Sequence, residues 1–156
     1  MRNIINKIFF LFLICFVFFS ASLFGQTAAR LELLLSEQEL TWSQAAGFLL
    51  EASEKMTGSP EQAFAFVMEQ KWLPVHFQPN DKARLQGIAL LLMRSFELKG
   101  GIFYSITHSQ HHAFRELVYK EVISGDKDPR AYVSGRDLLL MVNKILSEVE
   151  SLQAEK

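Results

Sequence analysis

Three times along this chain a short start is followed at its fourth place by Gln or Asp and then by an apolar run at helical spacing. The copies are Thr41-Trp42-Ser43-Gln44-Ala45-Ala46, Ala83-Arg84-Leu85-Gln86-Gly87-Ile88 and Ser134-Gly135-Arg136-Asp137-Leu138-Leu139. A hydroxyl in the first place accepts a hydrogen bond from the backbone three residues on, while the fourth side chain reaches back to the first N–H. Thr41 with Gln44 and Ser134 with Asp137 therefore read as capping boxes. Ala83 has no hydroxyl, so the middle copy is incomplete. A helix start that recurs in this way limits the chain to stacked helical hairpins and points away from a catalytic centre.

Helical periodicity organises the rest into an all-α chain of five main helices with no convincing strand. Residues 26–40 form a lead-in in which Leu31, Leu33, Leu34 and Leu35 admit a short helix of its own. The first main helix is expected from about Trp42 to Lys55, with Ala45, Ala46, Leu49, Ala52 and Met56 inward and Gly58 as its stop. Ser59-Pro60-Glu61 supplies a capping hydroxyl, a first-turn proline and an acid for the second. That helix buries Ala63, Phe64, Val67, Met68 and Trp72 and cannot pass Pro74. The third is expected over about Lys82 to Leu98, burying Leu85, Ile88, Ala89, Leu92 and Phe96, with Gly100-Gly101 ending it. Ile102-Phe103-Tyr104 then crosses to a fourth, about Ser109 to Val122, with Ala113, Phe114, Leu117 and Val118 inward. The fifth runs from Gly135 to about Leu152 on Leu138, Leu139, Val142, Ile145, Leu146 and Val149. The repeat domain is thus 41–150, followed by a fraying tail at 151–156. Loops of about a dozen residues inside each hairpin are unusually long, which marks them as places for function.

Residues 1–25 carry a basic start (Arg2, Lys7), an apolar centre from Ile8 to Phe19 and small residues after it, the three-part pattern of a secretory signal peptide. The apolar core of 12 residues falls short of the roughly 18–20 that a membrane span needs. Gly25 or Ala29 would end the signal. Cys15, the single cysteine, lies inside this core with Ile14 before it and Phe16-Val17-Phe18-Phe19 after it, unlike a lipidation site. The processed chain would hold no thiol, which excludes disulfides and cysteine metal sites. It would also carry 14 Lys and Arg against 17 Asp and Glu, a net charge of −3, without the basic footprint of a nucleic-acid binder.

Taken together, these elements resemble the S-layer homology repeat, a helix-loop-helix unit of bacterial envelope proteins. Val122-Ile123-Ser124-Gly125 is similar to its Gly-Ile-Ile-Ser-Gly-like turn, and Phe77-Gln78-Pro79-Asn80-Asp81 to its Phe-x-Pro-Asn-Asp-like loop. Ala83-Arg84-Leu85-Gln86 stands where that repeat has Thr-Arg-Ala-Glu. Thr41-Trp42-Ser43-Gln44 keeps the Thr, and Ser134-Gly135-Arg136-Asp137 keeps a hydroxyl and an acid. The resemblance spans about 41–147. It implies three helix-loop-helix repeats in one pseudo-threefold bundle that binds cell-wall glycan, in the family through the Arg of the tetrapeptide. The corresponding positions in this chain are Trp42, Arg84 and Gly135, so only one keeps the base.

Other chemistry is sparse. His108 and His112 stand one helical turn apart, as two metal ligands would, but His111 points elsewhere and no acid lies within the cluster. His76 reads as a surface histidine. No nucleophile elbow, phosphate loop or zinc-protease helix is present. Asp126-Lys127-Asp128 lacks the later ligands of a calcium loop and reads as a solvated turn. Trp42, Trp72 and Tyr132 are the rings to weigh for sugar stacking against core packing. Arg84 and Arg136 could pair with acids of a neighbouring helix or meet an anionic glycan.

The expectation is an exported, noncatalytic protein of a bacterial periplasm or cell envelope, without cofactor or metal. Its partner would be a cell-wall glycan or another envelope protein, not nucleic acid, and it would meet the membrane only through the signal peptide before cleavage. Trp42, Gln44, Arg84, Gln86, Ser134 and Asp137 are the expected ligand contacts, in grooves beside the helix starts. The alternative is a periplasmic interaction adaptor that docks a partner on exposed apolar area around Leu31 to Leu35. A third reading, a metal-dependent enzyme, requires His108 and His112 to point into one cleft beside a carboxylate.

Overall fold

Apolar periodicity becomes helix throughout the computed structural model, which describes residues 29–125 and 127–154, with side chains as far as Val149. The signal segment, Cys15 and Asp126 lie outside the described residues, as do positions 155–156. Among the described residues there are seven helices and no strand, only two isolated antiparallel bridges, Thr41 with Lys82 and Arg84 with Tyr132. The chain divides into two compact units after Leu35. The first is described over residues 29–35, all within α1 (residues 29–36), on which Leu34 is buried and Leu31, Leu33 and Leu35 are exposed.

The second unit holds α2 (Trp42–Ala52), α3 (Pro60–Glu69), α4 (Leu85–Ser95), α5 (Ile102–Thr107), α6 (Gln110–Tyr119) and α7 (Gly135–Ala154). Inward positions follow the expected stripes: Ala45, Ala46 and Leu49 on α2, Ala63, Phe64 and Val67 on α3, Ile88, Ala89 and Leu92 on α4 are buried. On α6 and α7 the buried set includes Ala113, Phe114, Leu117, Leu138, Val142 and Ile145. Burial of such side chains contributes about 1.5–3 kcal/mol each before conformational entropy is set against it. α2 packs on α3, α4 on α6, and α2 also meets α4 and α7. Two expectations fail at the edges of this core: Leu146 and Val149, placed inward, are exposed on α7. Ile102-Phe103-Tyr104, expected only to cross to the next helix, is the start of a further helix, α5, which buries Tyr104 and leaves Ile102, Phe103 and Ile106 outside.

Helix starts and helix ends are built differently. Gln44 N–H donates to Thr41 Oγ1 at 3.3 Å and Thr41 N–H donates to Gln44 Oε1 at 2.9 Å, a reciprocal box. Ser59 and Gln62 form a second one on α3, at 3.3 and 3.0 Å. On α7, Asp137 N–H donates to Ser134 Oγ at 3.1 Å, but the shorter Asp side chain turns to the Ser134 hydroxyl at 2.7 Å. The cap is real, and the pairing is hydroxyl to carboxylate.

The ends do not use the expected glycines. The turn that closes α2 falls at Glu54 and that of α4 at Glu97, two residues past each helix and ahead of Gly58 and Gly100, and those of α3 and α6 fall at Lys71 and Glu121. All four residues sit in the left-handed region, with φ of 52–56°. In three cases the next residue closes the turn: the N–H groups of Lys55, Trp72 and Leu98 donate to the carbonyls of Leu50, Val67 and Met93 at 3.0, 3.1 and 2.9 Å. A long polar side chain thus occupies a conformation that favours glycine.

Candidate functional site

The residues just before three helix starts close a ring of backbone hydrogen bonds. Leu40 N–H donates to Val133 at 2.9 Å, Val133 N–H to Ala83 at 3.2 Å, and Ala83 N–H back to Leu40 at 2.8 Å. All three residues are buried. A closed ring of this kind equates Leu40, Ala83 and Val133, and hence their successors Thr41, Arg84 and Ser134, which precede α2, α4 and α7.

That equivalence corrects the sequence alignment by one residue. Ala83 had been matched with Thr41 and Ser134, and Arg84 with Trp42 and Gly135. In the fold Arg84 is the N-cap of α4, with no side-chain cap, and Leu85 is the residue that matches Trp42 and Gly135. Helical spacing alone cannot detect this slip, because Ile88 to Met93 are all apolar and buried, so α4 presents an apolar face in either register. A signal was present in the prolines: Pro79 and Pro129 each stand five residues before a cap, Arg84 and Ser134.

Those prolines explain how the starts are satisfied. The first N–H groups of a helix lack intrahelical partners. Here Trp42 and Ser43 donate to the carbonyls of Asp81 and Pro79 at 3.1 and 3.0 Å, and Leu85 and Gln86 to those of Ala131 and Pro129 at 2.9 and 3.0 Å. Gly135 donates to Glu37 at 3.0 Å. The loop before α4 therefore caps α2, the loop before α7 caps α4 and the segment before α2 caps α7, and these backbone donors are not open to an anion.

Most of the expected ligand contacts are absorbed in the same way. Trp42 is 1 % exposed and stacks on Phe77 with ring centroids 4.7 Å apart. A Cβ added at Gly87 would overlap its ring, so α4 reaches Trp42 only because that residue is glycine. Trp42 is thus a core residue with no face for a sugar. Gln44 is held by Thr41 and donates from Nε2 to Glu37 at 3.3 Å, and Ser134 and Asp137 are held by each other. Gln86 is partly buried.

Arg84 and Tyr132 are the exception. Both are exposed, and the Arg84 guanidinium lies over the Tyr132 ring at 5.2 Å from its centroid, with Nη1 3.5 Å from the Arg130 carbonyl. The flanking Lys82 donates to the Glu39 carbonyl at 2.8 Å. A planar cation held against an exposed ring can offer paired donors to a carboxylate or to vicinal oxygens.

His111 and His112 meet edge-on at 5.4 Å, but His108 and His112 take different partners. His112 Nδ1 lies 2.8 Å from Thr107 Oγ1 and 2.9 Å from Ser109 Oγ, and its ring stacks on Phe103. His108 caps the end of α5 in the left-handed conformation and meets Tyr104 edge-on. Among the described residues no three His, Cys, Asp or Glu side chains come together as metal ligands. His76 is exposed beside Phe77. No described helix is long and apolar enough to cross a membrane. Against known proteins, no family model, curated protein or solved structure matches the chain.

Proposed function

We propose that the protein is an exported, noncatalytic component of a bacterial envelope, in which three degenerate hairpins of S-layer-homology type surround a pseudo-threefold axis and bind cell-wall glycan. The hydrogen-bonded ring of Leu40, Ala83 and Val133 is the observation that carries the architecture. Recognition falls to the exposed Arg84–Tyr132 pair rather than to all six helix-start residues. Arg84 supplies directed donors for glycan carboxylate or amide oxygens, and the free portion of the Tyr132 ring supplies an apolar face for a pyranose. One such contact, where a family member would present several bases, implies weak binding.

Co-sedimentation of the purified protein with isolated cell-wall sacculi tests this reading. Retention is expected for the wild type and should be lost in Arg84→Ala and in Tyr132→Ala, with their helical content unchanged. Equal retention of both variants, or none for the wild type, would remove it. A second reading, the adaptor, draws support from exposures of 37 %, 68 % and 41 % at Leu31, Leu33 and Leu35. It predicts that Leu31→Asp with Leu35→Asp, and not Arg84→Ala, releases the protein from envelope fractions.

A further inference from the structure

Past the ends of α2, α3 and α4, away from the Arg84–Tyr132 pair, lies a cleft of about 310 Å³. Its apolar walls come from Met93, Leu98 and the half-buried Trp72, which meets Phe66 edge-on at 5.8 Å. Tyr104 and His108 of α5 close one side. The Tyr104 ring is brought in by Gly100, where an added Cβ would lie 2.6 Å from its Cδ1.

Three formal charges line the cleft, and two of them cancel. Lys55 donates to Glu97, whose carboxyl is held below its usual range by that hydrogen bond and by the charge of Lys55. Arg94 has no carboxylate partner among the described residues. Its Nε is buried and has no hydrogen-bond partner among the described residues. That N–H is closed to a ligand as well as to water, so what Arg94 offers the cleft it lines is the positive charge of its guanidinium. Burial pushes the Tyr104 hydroxyl up, with the Arg94 charge opposing, so it stays protonated as a second donor.

We propose that this cleft binds a small organic monoanion, a carboxylate on a flat apolar body, with the carboxylate at Arg94 and Tyr104 and the body against Trp72 and Leu98. One uncompensated positive charge selects a single negative charge. The volume, at the low end for small-molecule sites, suits one ring and its side arm. The site is independent of the glycan reading, since the 11-residue helices α2 and α4, each about 16 Å long, run from the capped starts to this end.

The test is a titration of the isotope-labelled protein with phenylacetate and with its uncharged amide, phenylacetamide, followed by amide and indole NMR signals. Phenylacetate is expected to shift the Trp72 indole N–H and the Met93 to Leu98 amides saturably, while the Trp42 indole stays fixed. The amide should bind about tenfold more weakly or worse, the worth of one charge-assisted hydrogen bond. Arg94→Gln should abolish the difference between the two probes. Glu97→Gln, at an exposed position, should free Lys55 and tighten phenylacetate several-fold. Equal affinity for acid and amide, shifts outside the cleft, no shift at about 10 mM ligand, or weaker binding in Glu97→Gln would overturn the proposal.

Discussion

The two ends of the hairpin bundle spend their polar groups in opposite ways. At the start end of α2, α4 and α7, loop carbonyls take the first backbone donors, Thr41 and Ser134 cap their helices, and Trp42 fills the space left by Gly87. At the other end the Arg94 Nε has no hydrogen-bond partner among the described residues, Glu54, Lys71, Glu97 and His108 hold left-handed backbone, and a cleft remains open. The similar helix starts are thus the places where polar groups are already satisfied, which assigns them to architecture. The two proposed binding places lie where the pattern runs out, at Arg84–Tyr132 on the rim of the first end and around Arg94 at the second.

Substitutions can break or sharpen that contrast. The largest effect is expected for Trp42→Ala, which removes a buried ring and should cost about 3–5 kcal/mol in urea unfolding. Gly87→Ala attacks the same contact by overfilling it and should cost about 1–3 kcal/mol. A loss below half a kcal/mol for either would mean that the start end is loosely packed.

At the other end, Lys71→Gly and Glu54→Gly should each raise stability by roughly 0.5–1 kcal/mol, because glycine adopts the left-handed turn without a Cβ penalty. Destabilisation by either change would show that those side chains make contacts worth more than the strain. Arg84→Ala and Tyr132→Ala should move the unfolding midpoint little, since a surface cation–ring pair contributes about 0.5–1 kcal/mol.

The smallest effect belongs to Glu97. Its carboxyl is more acidic in the fold than its ordinary value of 4.5, so its contribution is present above that value and fades as pH falls through the lowered one. The stability difference between wild type and Glu97→Gln should therefore shrink on acidification and in high salt. A difference that grows in acid would contradict the assignment of Lys55 as its partner.

Much of this was written in local sequence. Apolar spacing located every main helix, and hydroxyl caps located the starts of α2, α3 and α7 to the residue. Two kinds of information were not local. Helix ends were misplaced because Glu54, Lys71, Glu97 and Glu121 take the turn that glycine would announce, and nothing in a glutamate signals it. The status of Trp42 was open because one tryptophan pattern serves both an exposed sugar platform and a core ring. Only the facing Gly87, 45 positions away, decides between them. The register of the middle start followed from a ring that three distant segments build together. The cleft at Arg94 has no motif, since its lining is gathered from the ends of four helices.

If the three helix starts form one closed unit, native-state hydrogen exchange at the amides of Leu40, Ala83 and Val133 will report it. Because each N–H is buried and bonds to the next residue of the ring, all three should exchange only through global unfolding, with one shared free energy equal to that from denaturant melts. Exchange of any one of them through local opening, at a free energy well below the other two, would contradict the ring as the element that holds the hairpins together.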